Sequence, residues 1–296
     1  VGYKFEEIEN DPQIINEMGD IRYQRYGTGG INRGFLGVSQ KLGKFSVGFE
    51  GIYYFGTIDR YSNATFTTNQ SYRSINTGTD FVVSSITGKG GIQFKSDIAK
   101  DVDMTFGATW LFGTKLSGDL TKYAYATNVS GIKDTIYHNV NDNTSMEIPS
   151  ELGIGLSVRK MDKWLIGFDY TRQDWSKVEF STTPGVNFSP AVSNKFNIGF
   201  EYIPNRFDIR YYSKRITYRG GAYFEKSYMK VAGNQINSMG ITVGATLPLI
   251  GNNGVGLSMD MGQRGSLKNN TIRERYVMFN ISISLYDRWF YKYRYE

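Results

Sequence analysis

One stretch near the end of the chain, Arg275–Tyr286, restricts the possible folds more than any other. Every second residue from Val277 to Leu285 is apolar, and the residues between them are mostly polar. A β-strand places alternate residues on opposite faces, so this stretch predicts a strand with one apolar face. The aromatic residues that close it are Tyr286, Trp289, Phe290 and Tyr291. A strand of about 9–11 residues with one apolar face and an aromatic end is typical of a transmembrane β-barrel.

The same alternation recurs along the chain in hairpins whose connections fall into two classes. The short connections follow Leu42, Ser96, Lys160, Ile203 and Leu249. The others are mostly long and polar, and they follow Ile8, Arg60, Leu116, Phe180, Arg219 and Arg264. Bacterial outer-membrane barrels have short periplasmic turns, longer outer loops and an even number of strands. The pattern therefore predicts an all-β, antiparallel, up-and-down transmembrane β-barrel with about twelve visible strands, in one domain over residues 1–296.

Two stretches within this pattern are assigned as follows. The fourth hairpin is predicted to turn at Pro204-Asn205 and to return as a strand with Phe207, Ile209 and Tyr211 on one face. The segment from Leu116 to Ile148 is predicted to be a long polar loop.

A soluble β-sandwich would also alternate, with its apolar face turned inward. Three features favour the membrane: the aromatic ends of the apolar stripes, the strict alternation of loop classes, and opposite faces made of small and polar residues such as Gly153, Gly155 and Ser157. The sequence has no apolar run of 18 residues, so it predicts no helical membrane span.

Composition excludes several functional classes. The chain has no cysteine, so a disulfide framework, a thiolate metal site and a cysteine nucleophile are all impossible. Its net charge of +6 is dispersed without any basic run of five residues, so nucleic-acid binding is not expected. The single histidine, His138, is predicted to be a solvated loop residue, and the asparagine-rich segment 139–143 lacks the order of an EF-hand. We therefore predict no enzyme activity, no metal and no cofactor.

Two hairpin segments carry a resemblance to a known family. They are Arg33-Gly34-Phe35-Leu36-Gly37 with Phe45-Ser46-Val47-Gly48-Phe49, and Leu165–Tyr170 with Trp175. They resemble FadL-type proteins of the Gram-negative outer membrane. The resemblance implies a fourteen-stranded barrel, an N-terminal hatch that plugs the lumen, and uptake of hydrophobic molecules such as long-chain fatty acids. With twelve strands visible, the hatch and two strands would lie upstream of Val1, and no gating residue matches by position.

Charged residues on the polar faces of the strands are the first candidates for a functional site, because residues that face the lumen set selectivity. The lumen-facing candidates are Glu50, Lys95, Arg159, Asp169, Glu201, Asp208, Arg210 and Asp260. Acids and bases are nearly balanced among them. They form either a structural network that fills the interior or a polar pathway for a solute.

A second candidate lies in the polar connection after the first strand. Asp11 suits a helix N-cap, Pro12 the first helical position and Gly19 the helix end, so a helical turn is predicted between them. Its apolar stripe consists of Ile14, Ile15 and Met18. This stripe either receives an amphipathic ligand or a partner protein, or packs against the rim of its own barrel.

Two functions remain open at this point. The first is uptake of hydrophobic or amphipathic small molecules; the second is a non-transporting barrel subunit of a multi-protein outer-membrane assembly, in secretion or barrel insertion. The predicted partners are membrane lipid, other outer-membrane proteins or lipoproteins, and a hydrophobic small-molecule ligand. A route for fatty acids requires a continuous apolar groove, whereas the predicted inward faces are mostly polar.

Overall fold

The computed structural model of the chain describes residues 3–8, 11–66, 72–128, 130–179, 187–249, 253–268 and 272–286. The elements in chain order are β1 (Tyr3–Ile8), α1 (Pro12–Met18), β2 (Ile21–Leu42), β3 (Phe45–Phe66), β4 (Ser74–Ala99), β5 (Val102–Leu111), β6 (Thr114–Thr127), β7 (Lys133–Ile148), β8 (Glu151–Lys160), β9 (Trp164–Asp174), β10 (Phe188–Pro190), β11 (Val192–Tyr202), a 3-10 helix (Tyr212–Arg215), β12 (Thr217–Val231), β13 (Asn234–Pro248), β14 (Gly254–Gly265) and β15 (Arg273–Ser284).

Within the described ranges, the strands belong to one sheet of 15 strands. Its main path runs β1-β2-β3-β4-β5-β8-β9-β11-β12-β13-β14-β15, while β6 pairs with β4 and β7, and β10 pairs with β12. Hairpins such as β8–β9 and β13–β14 are antiparallel neighbours in sequence and in the sheet. The predicted up-and-down order of about twelve strands is thus confirmed along the main path.

The chain folds into two compact units. The first unit comprises residues 1–37, 50–88 and 113–148, and the second comprises 38–49, 89–112 and 149–296. The single domain over residues 1–296 stays a prediction.

The first unit has a small hydrophobic core, built where β6 and β7 pack against β4. Phe81, Val83 and Leu116 are its buried members, and Leu116 has no exposed surface. The prediction of a polar loop from Leu116 to Ile148 is wrong, because this segment forms the hairpin β6–β7. Two register shifts, at Gly118/Leu120 and Ala124/Tyr125, change which residues share a face, so the alternation is broken in the sequence.

The first unit also contains the predicted helix. The Asp11 carboxylate accepts a hydrogen bond from the backbone N–H of Gln13 at 2.9 Å, Pro12 occupies the first helical position, and Gly19 ends the helix with φ +80°. The N-cap, the proline and the terminal glycine thus have the roles that the sequence predicts.

The second unit is a run of antiparallel strands with one apolar face. Residues at the same height on this face are Phe106, Leu156, Phe168, Ile198, Ala222, Ile241, Met261 and Val277. Most of their large side chains are exposed, for example 55% for Ile198 and 56% for Val277. Water does not favour so extensive an apolar face, whereas lipid does.

Aromatic side chains end this apolar face on the side of the short turns. Trp164, Tyr202 and Tyr218 are register partners across β9, β11 and β12. Tryptophan and tyrosine are enriched at membrane–water interfaces, so this row defines the interfacial edge of the wall. The aromatics predicted after the final strand, Trp289, Phe290 and Tyr291, lie outside the described residues.

The prediction of a strand through Phe207, Ile209 and Tyr211 is wrong. Strand β11 ends at Tyr202 and β12 begins only at Thr217. The connection between them, residues 203–216, contains the 3-10 helix and side-chain-capped turns. Asparagine and aspartate side chains that bond to nearby backbone N–H groups favour such turns, so here turn chemistry overrides the alternating pattern.

None of the helices among the described residues has the length and apolarity of a membrane span.

Candidate functional site

The candidate site lies on the face of the second unit opposite the apolar one. The residues at one height on this face are Gln93, Gly107, Gly155, Asp169, Asn197, Tyr223, Gly240, Gly262 and Tyr276. This row thus consists of glycines and polar side chains. The predicted lumen-facing residues Lys95, Arg159, Glu201 and Asp260 lie on this same face by register.

An ion cluster occupies this face near the short turns. The Lys95 ammonium lies 3.1 Å from the Asp103 carboxylate, and Arg159 donates two hydrogen bonds to it, at 3.2 and 3.3 Å. The Asp103 side chain is 10% exposed, so the two cations largely replace water around it. The sequence interpretation found both cations but missed Asp103; its position beside outward-facing Met104 is the alternation signal that identifies it.

A second ion pair lies farther along the same face. The Arg219 guanidinium donates to the Glu201 carboxylate at 2.7 Å and to the Thr246 hydroxyl at 2.6 Å. Because β11, β12 and β13 are neighbours, this interaction links three consecutive strands. Arg219 was not among the predicted residues, since the sequence pattern placed it at the start of a loop.

A tyrosine pair lies beside a third carboxylate on this face, that of Asp260. The Tyr223 hydroxyl donates to Asp260 at 3.1 Å and also forms a hydrogen bond with the Tyr276 hydroxyl. Two glycines make room for the rings: a Cβ on Gly262 would lie 2.6 Å from both hydroxyl oxygens, and a Cβ on Gly240 would contact Tyr223 even more closely. Only glycine permits such a close approach of a side chain to the strand backbone.

The remaining predicted strand residues are placed as follows. Glu50 lies in the first unit, where its carboxylate is 3.9 Å from the Arg33 guanidinium. Asp169 is exposed on the polar face of β9, next to Gly155 on β8. That all these residues line a lumen stays a prediction.

Asp208 and Arg210 do not lie on a strand face, contrary to the prediction, because both belong to the 203–216 connection. The Asp208 carboxylate accepts hydrogen bonds from the backbone N–H groups of Tyr211 at 2.6 Å and Arg210 at 2.9 Å. The Lys214 ammonium is 3.3 Å from it. The Tyr211 N–H bond is the main cause that lowers the pKa of Asp208 below its usual value, and Lys214 adds to this effect.

The stripe on α1 is only partly covered. Ile14 and Ile15 are half-buried, whereas Met18 is 36% exposed. A role of this stripe in contact with a ligand or partner stays a prediction.

An apolar cavity of about 470 Å³ opens at the end of the second unit away from the short turns. Met229, Val231, Ile236 and Ile272 give its apolar lining, while Arg264 and Glu274 add charge. Sequence reasoning did not find it, because its walls come from the ends of four strands and their connections.

The described residues contain no group of three or more His, Asp or Glu side chains arranged to hold a metal ion. His138 lies in β7 opposite Tyr123 and not in a loop. The sequence pattern missed β7 because register shifts in the hairpin β6–β7 break the alternation.

A wall of antiparallel strands with an exposed apolar face, an aromatic edge and a polar opposite face defines the class of the protein. It is an outer-membrane β-barrel of the up-and-down type. A family model with the description BamG matches residues 1–296. The chain belongs to the BamG family.

Two solved structures of transporters are similar to this chain. The toluene transporter TbuX of Ralstonia pickettii is 15% identical, with a TM-score of 0.48 over 95% of this chain and 68% of that chain. The P. putida toluene transporter TodX is 13% identical, with a TM-score of 0.40 over 95% of this chain and 81% of that one. Both are FadL-family hydrocarbon transporters, the family that the sequence resembles. At these identities, no residue role is carried over. A search among curated proteins gave no match.

Proposed function

We propose that the chain is a non-transporting barrel subunit of a multi-protein outer-membrane assembly of the secretion or barrel-insertion type. The observation that carries the proposal is the polar face of the second unit. Its cross-strand contacts at Asp103, Glu201 and Asp260 are charged or polar throughout. A hydrophobic solute passing along this face would have to desolvate these groups without replacing their hydrogen bonds, which is unfavourable.

Membership of the BamG family is compatible with this role, since the family name points to barrel assembly. In such a subunit the ion pairs stiffen the wall, and the surfaces outside the membrane contact other proteins. The end of the wall with the short turns would face the periplasm, as in other outer-membrane barrels.

The test is purification of the full-length protein from its own outer membranes in a mild detergent. We expect a discrete complex with a stoichiometric protein partner, seen by native electrophoresis and identified by mass spectrometry. A barrel that elutes alone, with bound lipid only, would contradict the proposal.

Uptake of hydrophobic molecules is the second candidate, and the apolar cavity beside Ile236 and Ile272 favours it. Proteoliposomes that contain the protein would then take up a radiolabelled long-chain fatty acid faster than empty liposomes. Ile236→Trp would fill the cavity and reduce that uptake, whereas Ile198→Trp on the lipid-facing surface would leave it unchanged. Equal rates with and without protein would exclude this candidate.

A further inference from the structure

The 203–216 connection presents large apolar side chains to water. Phe207 is 75% exposed and Ile209 is 100% exposed. Neither side chain contributes to the lipid-facing surface of a strand, because β11 has already ended at Tyr202. The exposure of both residues therefore has no structural benefit within the chain and is typical of a contact site.

The connection also begins beyond the interfacial edge of the wall. Tyr202, the last residue of β11, belongs to the row of Trp164 and Tyr218 at that edge. The segment that follows therefore starts on the aqueous side. It uses 14 residues, 203–216, where the β8–β9 hairpin needs only residues 161–163.

Hydrogen bonds and ion pairs hold this connection in one conformation. Asn205 and Asp208 cap the backbone N–H groups of Phe207, Arg210 and Tyr211. Two contacts fix the connection to its neighbours: Arg206 binds Asp162 at 3.0 Å, and the Tyr212 hydroxyl donates to the Pro248 carbonyl at 2.9 Å. An ordered, preorganised apolar tip favours a partner of defined shape over the fluid surface of a bilayer.

The charge of the connection identifies the chemistry of that partner. Arg206 and Lys214 are paired with Asp162 and Asp208. Arg210 is exposed, and Arg215 lies over the Tyr212 ring at 5.0 Å, so both add positive charge beside the apolar tip. Apolar anchors next to arginine are the usual composition of the energetically dominant part of a protein interface.

We propose that residues 203–216 form a docking surface for an acidic protein partner, with Phe207 and Ile209 as apolar anchors and Arg210 as the facing cation. This proposal rests on the proposed function and names the contact surface of the assembly subunit. The partner would bury Phe207 and Ile209 in an apolar depression and place carboxylates near Arg210. Anionic lipid headgroups are the competing occupant.

The first experiment is photo-crosslinking in intact cells that express the full-length protein. A benzophenone amino acid is placed at Phe207 or Ile209, with Leu267 as the control, because Leu267 is also exposed but lies in the β14–β15 connection. We expect one protein adduct of defined mass from positions 207 and 209 and none from 267, and mass spectrometry should identify an acidic protein. Adducts with lipid alone, or no adducts, would overturn the proposal.

The second experiment measures how much of that same protein co-purifies with variants. Phe207→Ser combined with Ile209→Ser should reduce the recovery of the partner at least ten-fold. Arg210→Glu should also reduce this recovery and should make it less dependent on salt concentration. Leu267→Ser and Lys163→Glu are the matched controls and should retain it. Heat-modifiable migration in electrophoresis verifies that each variant is folded.

The two proposals fail in different ways. If the wild-type protein has a stoichiometric partner that the Phe207→Ser/Ile209→Ser variant keeps, the docking surface is wrong and the subunit function stands. If the wild-type protein has no partner at all, the proposed function fails as well.

Discussion

Asp103 is the residue on which the ion cluster of the polar face depends. Asp103→Asn leaves Lys95 and Arg159 without their counter-charge. Both cations are nearly half exposed, so water offsets part of the loss, and we expect a decrease of about 1–2 kcal/mol in the free energy of unfolding. Urea unfolding of the protein folded in lipid vesicles measures it. Asp169→Asn, an exposed residue on the same face, is the control and should change little; equal effects would contradict the cluster.

Two glycines matter because tyrosine rings lie directly over them. Gly240→Ala would place a methyl group against the Tyr223 hydroxyl, and we expect a loss of about 1–3 kcal/mol in unfolding free energy, as for overpacking. Gly199→Ala is the control, since no atom lies within 4 Å of its added Cβ. The double variant Gly240→Ala/Tyr223→Phe should lose less than the sum of the two single variants. Strict additivity would show that the Tyr223 hydroxyl and the added methyl group do not contact.

Asp208 makes the stability of the 203–216 connection dependent on pH. Its folded pKa lies below the ordinary value of 3.8, so ionisation stabilises the turn above that value and the stabilisation is lost as pH falls through the folded pKa. The amide resonance of Tyr211 should therefore titrate with a midpoint below 3.8, as followed by NMR in detergent micelles. Asp208→Asn should abolish the titration. A midpoint above the ordinary value would contradict the cap.

At the scale of an element, the hairpin β6–β7 is held by its buried contacts with β4. Leu116 is fully buried against Phe81 and Val83. Leu116→Ala should cost about 2–5 kcal/mol and loosen the hairpin. Limited trypsin digestion of the folded protein measures this as faster cleavage after Lys122. Ile132→Ala removes an exposed side chain from the same segment and should leave the digestion rate unchanged.

Elements with one dominant local signal could be predicted from the sequence. Helix α1 has its cap at Asp11 and its end at Gly19, and the regular strands alternate without interruption. The hairpin β6–β7 and the 203–216 connection could not be predicted, because bulges break the alternation in one and apolar residues in a capped turn imitate it in the other. The site has the same limit: Lys95, Arg159, Glu201 and Asp260 were found from the alternation, whereas the ion pairs and hydrogen bonds they form and the cavity depend on which strands are neighbours.

The molecule as a whole combines a lipid-facing wall with unequal ends. In the second unit, one end has the short β8–β9 turn and the basic 203–216 connection, and the other has the β12–β13 turn, the β14–β15 connection and the apolar cavity. A periplasmic position of the first end brings the proposed docking surface to soluble or lipoprotein partners. The reverse orientation would expose it at the cell surface, so the orientation of the chain decides which partners can reach it.

Cysteine labelling determines that orientation, because the chain has no cysteine of its own. Lys268→Cys lies between β14 and β15, and Lys163→Cys lies in the turn between β8 and β9. A membrane-impermeant maleimide should label position 268 on intact cells, and position 163 only after the outer membrane is permeabilised. The physical reason is that outer-membrane barrels have their short turns on the periplasmic side, which the maleimide cannot reach in intact cells. Labelling of position 163 on intact cells, with protection of 268, would reverse the topology and place residues 203–216 outside the cell.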